Sequence, residues 1–262
     1  MDTEQPRELC WVYGILREGH PIAPDMTGVP GSGPVEAISE GGLAAAVSRG
    51  APDTMPSDEV LMDDNERLRT VLLAHDAVQR ALVEDGDVLP TRFATVCTET
   101  DARSLLSAHR PTLDSAFAQV GSQREWGVQM FVGAGSAHHS APRQRRDAPG
   151  AGRAYLAGRQ EQARQRGTRH ERGKRSSEDL HGRLASVATA GVRIGLHAQH
   201  VTGRTDEMVY NASFLVAREA EDRFKAIVTR AGGADITCVL TGPWPPHHFV
   251  DLDLSGDANV HA

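Results

Sequence analysis

Short segments of period-two apolar alternation take turns along this chain with longer segments of 3.6-residue periodicity. That interleaving admits only a mixed fold, with sheets covered by helices. Residues 9–17 (LCWVYGILR) read as a strand in which Trp11, Tyr13 and Ile15 alternate against Val12 and Leu16. A Gly- and Pro-rich loop follows at 18–34, and then a second strand region at 35–48. From Asn65 to Val83 the positions Leu68, Val71, Leu72, Val78 and Leu82 fit one helical face. Residues 88–97 (VLPTRFATVC) predict a strand with Pro90 near its start or on an edge. Thr100 or Asp101 caps a second helix that continues through Leu105, Leu106 and His109. Pro111 is expected to kink or break it before Leu113, Phe117 and Val120 resume the face. Residues 125–132 (EWGVQMFV) close this half as a strand, with Trp126, Val128, Met130 and Val132 on one side.

The order strand–strand–helix–strand–helix–strand resembles a rearranged ferredoxin-like layer, one sheet with helices on one face. It predicts a first domain over 1–135. Residues 133–150 are small, polar and marked by Pro and Gly, which predicts a linker at 136–150. The remainder, 151–262, reads as a helical arm followed by a second α+β domain. In the arm Tyr155 and Leu156 anchor the start, and Leu180, Leu184 and Val187 form a stripe near the end. Between them runs an Arg/Gln/Glu stretch interrupted by Gly167 and Gly173. Strands at 192–201 and 208–217 then precede a helix over about 219–231 that carries Phe224, Ile227 and Val228. A last strand, 235–241, runs into GPWPPHHFV.

The 262 residues suffice for two small domains. The net charge of −7 conceals an asymmetry: residues 143–175 carry eleven basic residues against three acids, +8, which leaves −15 elsewhere. A uniformly basic nucleic-acid binder has a different distribution. Cys10, Cys97 and Cys238 are an odd number, far apart, and fit a reducing compartment. The first eight residues are polar and acidic, and no apolar run approaches the roughly 20 residues of a membrane span. The expectation is a cytoplasmic protein without membrane contact.

Catalytic patterns fail on spacing. Gly167 to Ser176 (GTRHERGKRS) imitates a phosphate loop, but five residues separate its glycines where four are required. Arg175 also stands where a hydroxyl should hold Mg²⁺. His197 and His200 point to opposite faces of a strand, and the adjacent pairs His138-His139 and His247-His248 chelate poorly. His75 sits on the apolar face of its helix and reads as a satisfied core residue. There is no Gly-x-Ser-x-Gly elbow, and Asp63, Asp64 and Asp101 are explained by helix starts. The basic arm lacks interleaved aromatics after Tyr155, so base stacking is not expected. The residues therefore predict no catalytic group, no cofactor, no metal and no nucleic acid.

The densest stretch is TGPWPPHHFV at 241–250. Three prolines stiffen the backbone around one Trp. Two readings stand side by side. Trp244 either folds back onto the last sheet or serves as a rigid aromatic anchor for a partner, with Pro243, Pro245, Pro246 and Phe249 around it. Together with VYGIL at 12–16, HDAVQRAL at 75–82, VLPTRFATV at 88–96, EWGVQMFV at 125–132, GRAYLAGR at 152–159 and YNASFLV at 210–216, this segment resembles the gas vesicle protein F/L family. Ala94 stands where that family usually has Gly, and His247 where an aromatic is common. The resemblance implies a ferredoxin-like N-terminal half, a modified ferredoxin-like C-terminal half and an accessory or minor structural role in building gas vesicles. It implies no enzyme activity. The implied partners are the small hydrophobic shell protein, gas vesicle protein A, and other accessory proteins. The alternative, from another class, is a small-molecule-binding enzyme or sensor on ferredoxin-like domains, since such folds host many functions.

Overall fold

The computed structural model describes residues 8–56, 61, 63–133, 151–198, 203–233, 235–250 and 252. The chain is α+β and divides into two compact units, one of Met1–Glu125 with Gly242–Ala262, the other of Trp126–Thr241.

The first unit is organised by β1 (Leu9–Arg17). β2 (Val35–Glu40) and β3 (Leu43–Gly50) form an antiparallel hairpin whose turn is Gly41-Gly42, both left-handed at φ +60° and +87°. A two-residue turn of that handedness matches the twist of the flanking strands. β3 pairs antiparallel with β1, and with β4 (Val88–Pro90) and β5 (Val96–Cys97) the order is β2-β3-β1-β4 with β5 also on β1. The expected single strand at 88–97 is instead two short ones, β4 and β5. The cause lies in β1, whose register slips between Val12 and Gly14 so that Tyr13 is an extra residue in the ladder. The loop at 91–95 serves that bulge: Val12 N donates to Thr95 O at 2.9 Å, and Thr91 Oγ1 donates to Val12 O at 3.2 Å.

The bulge also resets the strand's alternation. Cys10, Val12 and Ile15 enter one core cluster, while Trp11, Tyr13 and Leu16 enter another. The first cluster receives α2 (Glu99–Ala108) and α3 (Arg110–Val120) through Leu106, Leu113 and Phe117. The second receives α1 (Asn65–Asp85) through Val71, Val78, Leu82 and Val83. The sheet is thus covered on both faces, not on one as the ferredoxin-like expectation had it. A strand buried from Cys10 through Leu16 needs apolar side chains on both sides, and WVYGIL supplies them. Gly14 answers a close approach, because a Cβ there would lie 2.8 Å from Val88 Cγ1. Capping follows the usual chemistry: Asp64 accepts from Glu66 N and Arg67 N, and Thr98 forms a reciprocal box with Asp101. Pro111 lies in the first turn of α3, where its missing N–H costs nothing.

The second unit has the sheet order β7-β8-β6-β9, from β6 (Gln123–Val132), β7 (Ala190–Arg193), β8 (Glu207–Ala217) and β9 (Ile236–Trp244). Its helices are α4 (Ala151–Ala185) and α5 (Glu221–Ala231). Here alternation is regular. Trp126, Val128 and Met130 share one core with Tyr210, Ala212, Phe214 and Val216, and Leu180, Leu184, Phe224 and Val228 cover them.

This division differs from the expected one at residue 135. β6 is an interior strand of the second sheet, and the chain after Thr241 belongs to the first unit. The turn back is made at Gly242, at φ +117°, followed by a cis bond to Pro243. The linker expected at 136–150 lies outside the described residues, as does the side chain of Tyr155. α4 runs unbroken through Gly167 and Gly173, so the stretch that imitates a phosphate loop is helix. Gly173 is where the helix meets the sheet: a Cβ there would lie 2.5 Å from Val132 Cγ2. Leu156, expected as an anchor, is 63% exposed. No helix among the described residues is long and apolar enough to cross a membrane.

Ala94 is the one non-glycine with positive φ among the described residues, at 60°. A Cβ in that region costs about 1–2 kcal/mol, offset in part by the lower unfolded-chain entropy of Ala relative to Gly. Ala94→Gly is therefore expected to stabilise the protein by about 0.5–1 kcal/mol, read as a higher urea midpoint at unchanged slope. An unchanged or lower midpoint would show that the 91–95 loop bears no strain.

Candidate partner-binding site

The site is built on α1 and reaches the end of the described chain. One face of α1 presents His75 and, one turn later, Gln79, both buried at 3% and 1% exposure. Polar groups buried to that degree require partners. Trp11 Nε1–H donates to His75 Nδ1 at 3.1 Å, which leaves the ring's proton on Nε2. Trp11, Tyr13 and Phe93 surround the imidazole at centroid distances of 5.4–6.2 Å. Burial holds the His75 pKa down at about 4, with neighbouring His247 adding to the effect. Gln79 Nε2 donates to the carbonyl of the bulge residue Tyr13 at 2.8 Å. Gln79 Oε1 must then accept, and it pairs with His247 Nε2 at 3.1 Å. The Tyr13 hydroxyl completes the layer, bonded to Ser48 Oγ at 2.7 Å and accepting from Val29 N at 2.8 Å.

The proline–tryptophan segment lies on this layer. Pro243, Pro245 and Pro246 are buried, Trp244 and Phe249 half-buried, His247 and His248 exposed. The backbone closes a turn, with His247 N donating to Pro245 O at 2.7 Å and Val250 N to Pro246 O at 3.1 Å. Glu125, 3% exposed at the end of the first unit, accepts from His248 N at 2.9 Å and from His248 Nδ1 at 2.6 Å. The Arg80 guanidinium sits 5.4 Å from the centre of the Trp244 ring. Further on, Gln119 Nε2 donates to Phe249 O at 3.4 Å, and Val250 and Leu252 pack on the α2–α3 core. Pro111, Thr112, Ser115 and Gln119 line a small open cleft beside Val250.

Of the five residues singled out in the sequence, the prolines are packing elements of the first unit. Trp244 and Phe249 keep part of their surface open. Neither sequence alternative for Trp244 is the whole account: its ring rests against α1 of the first unit and remains half-exposed. Gln79, Arg80 and Glu125 were missed, although Gln79 shares the buried stripe of HDAVQRAL with His75, a signal visible in the spacing. Among the described residues no group of three or more His, Cys, Asp or Glu could hold a metal ion.

A family model described as gas vesicle synthesis protein GvpL/GvpF matches residues 9–251. Gas vesicle protein L of a Streptomyces species is 30% identical over 258 residues, covering 97% of this chain and 96% of the relative. Gas vesicle protein F2 of Halobacterium salinarum is 24% identical over 253 residues, covering 94% of each. The crystal structure of GvpF from an Anabaena species superposes with a TM-score of 0.64 at 18% identity, covering 94% of this chain and 97% of that one.

Two outcomes follow from the buried layer. A His75 that must stay neutral when folded, with a pKa of about 4 against an ordinary 6.5, contributes about 3 kcal/mol above pH 6.5. The unfolded chain takes up the proton first, so this contribution is lost between pH 6.5 and pH 4. The stability gap between wild type and His75→Gln in urea should narrow by about 3 kcal/mol from pH 7 to pH 4. A constant gap would mean that the imidazole is not held neutral by burial. Gln79→Leu leaves the Tyr13 carbonyl unpaired and removes the partner of His247, so it is expected to cost about 1–3 kcal/mol. It should also speed hydrogen exchange at the amides of residues 247–250. Unchanged protection there would mean that Gln79 does not hold the segment.

Proposed function

This chain belongs to the gas vesicle GvpL/GvpF family, and we propose that it is a non-enzymatic assembly factor that binds the hydrophobic shell protein, gas vesicle protein A. Other accessory proteins are its further partners, and the cytoplasm, where shells are built, is its place of action. The observation that carries this reading is a pair of exposed leucines on α1, Leu72 and Leu73, from which Asp76 and Arg80 lead to the partly exposed Trp244. Leu72 and Leu73 are 37% and 60% exposed, two large apolar side chains displayed on a helix whose opposite face is core. Leu72, Asp76 and Arg80 follow one another at i, i+4 and i+8, a row of about 12 Å that ends at the Trp244 ring.

A subunit destined for a gas-tight wall exposes apolar surface before it assembles, and such surface aggregates. A helper therefore gains from offering apolar contact bounded by charge. Leu72 and Leu73 supply the contact, Asp76 and Arg80 the boundary. Trp244 supplies area at little entropic cost, because Pro243 and Pro245 fix its backbone and Arg80 lies over its ring. The cleft beside Val250 is lined by Pro, Thr, Ser, Ala, Gln, Val and Leu, without a titratable group. That composition gives the alternative small-molecule enzyme or sensor no support there.

Co-purification of tagged protein with the shell protein tests the proposal. Trp244→Ala, confirmed as folded by circular dichroism, is expected to weaken retention by about 2 kcal/mol, roughly thirtyfold. Full retention by the folded variant would make Trp244 a packing residue only. Failure of the wild type to retain the shell protein would overturn the assembly reading itself.

A further inference from the structure

The described side chains of α4 from Leu156 to Thr168 bury nothing. Every residue from Leu156 to Thr168 is exposed, and the helix meets its own sheet from His170, which pairs with Glu207 of β8 at 3.1 Å, and closely at Gly173. An isolated helix of this length is marginal in water, and Gly158 and Gly167 each cost about 1 kcal/mol more. The helix's own side-chain links here are modest: Glu161 pairs with Arg164 at 3.4 Å and accepts from Gln165 at 2.9 Å. With no apolar stripe between Leu156 and Thr168, charge is the chemistry that this part of α4 offers a partner. Between Leu156 and Arg175 stand seven basic residues and two acids, +5 over roughly 30 Å of helix. With a chain total of −7, the remainder carries −12.

We infer that this arm docks onto the acidic remainder of a second copy of the chain. The complementary charge is present on the same molecule, so each copy brings both halves of the contact at equal concentration. A nucleic acid fits less well, because the −12 remainder repels a polyanion and Leu156 to Arg175 contains no aromatic residue to stack on bases. Arm and acceptor are different surfaces, so the contact is head-to-tail. It leaves a free arm at one end and a free acceptor at the other, and it extends rather than closing at a dimer. Exposed charge pairing of this kind is screened by salt. This inference does not rest on the shell-protein reading.

Analytical ultracentrifugation of the full chain tests it. At about 50 mM salt the weight-average sedimentation coefficient should climb with protein concentration past the dimer value. At about 500 mM salt it should return to the monomer, an affinity loss of at least about tenfold. The variant carrying Arg164→Glu, Arg166→Glu and Arg169→Glu should stay monomeric alone at low salt. Because its body remains acidic, the same variant with a fluorescent label should still co-sediment with unlabelled wild type. That result separates loss of the arm from loss of folding. A wild type that is monomeric at low salt, association that ignores salt, or a variant that self-associates like wild type would each overturn the inference. So would wild type that binds a short DNA duplex at low salt while remaining monomeric without it.

Discussion

One buried amide joins the parts of the first unit that are furthest apart in sequence. Gln79 donates to the carbonyl that the β1 bulge leaves outside the strand ladder, and accepts from a histidine 168 residues further along the chain. Neither bond can be exchanged for one to water, because the side chain is 1% exposed. The orientation of the amide is forced. The Tyr13 carbonyl only accepts, so the nitrogen faces β1 and the oxygen faces His247. One turn earlier, His75 meets Trp11 by the same logic. Two polar side chains on a single helix face thus match an irregularity in the central strand, and the surrounding aromatic cluster packs on that match.

The bulge explains why some elements were legible in the sequence and others were not. The helices were local matters: Asp64 and the Leu180–Leu184 stripe announce a start and a face within a few residues, although the cap expected at Thr100 or Asp101 is Thr98, with Asp101 as its capping-box partner. The two long strands of the second sheet were legible too, since alternate residues, Trp126, Val128 and Met130 in β6 and Tyr210, Ala212, Phe214 and Val216 in β8, enter one core. The strand expected at 192–201 is only β7, Ala190–Arg193. β1 was legible as a strand over Leu9–Arg17, but the facing of its side chains was not. Strict alternation sets Trp11, Tyr13 and Ile15 against Val12 and Leu16, yet Ile15 shares its cluster with Val12 because the chain gains a residue at Tyr13. The break at 91–95 sits against the same bulge, tied to it by the Thr91–Val12 and Val12–Thr95 bonds, with Ala94 at positive φ between them. The assignment of 125–132 to the first half failed for another non-local reason. Strand partners are chosen across the fold, and nothing inside EWGVQMFV names β8 and β9.

The candidate site was half legible. Proline spacing marked the segment as stiff and left Trp244 either folded back on the last sheet or free for a partner. What lay beneath it depended on contacts of very long sequence separation, with Arg80, Gln79 and Glu125. Glycine readings divided the same way. Gly41-Gly42 marks a turn whose handedness only glycine adopts easily. Gly173, which looked like a helix interruption, is a place where a helix needs a missing side chain to approach Val132 and Val209. Ala94 is the reverse case, a residue with a Cβ where the backbone favours none.

The return of residues 242–250 to the first unit makes the second unit an insertion in chain order, with a consequence for biosynthesis. The ribosome delivers β1 to α3 early, but the first unit lacks His247 and His248 until the whole second unit has been made. At about 5–20 residues per second that interval is roughly 6–25 s. Throughout it, Gln79 and Glu125 lack their bonds to His247 and His248, and the surface later covered by Pro243, Pro245 and Pro246 stays bare. A nascent chain that stalls or is cleaved before Gly242 therefore keeps that patch open, which distinguishes it from the finished protein for any chaperone or protease that samples apolar surface.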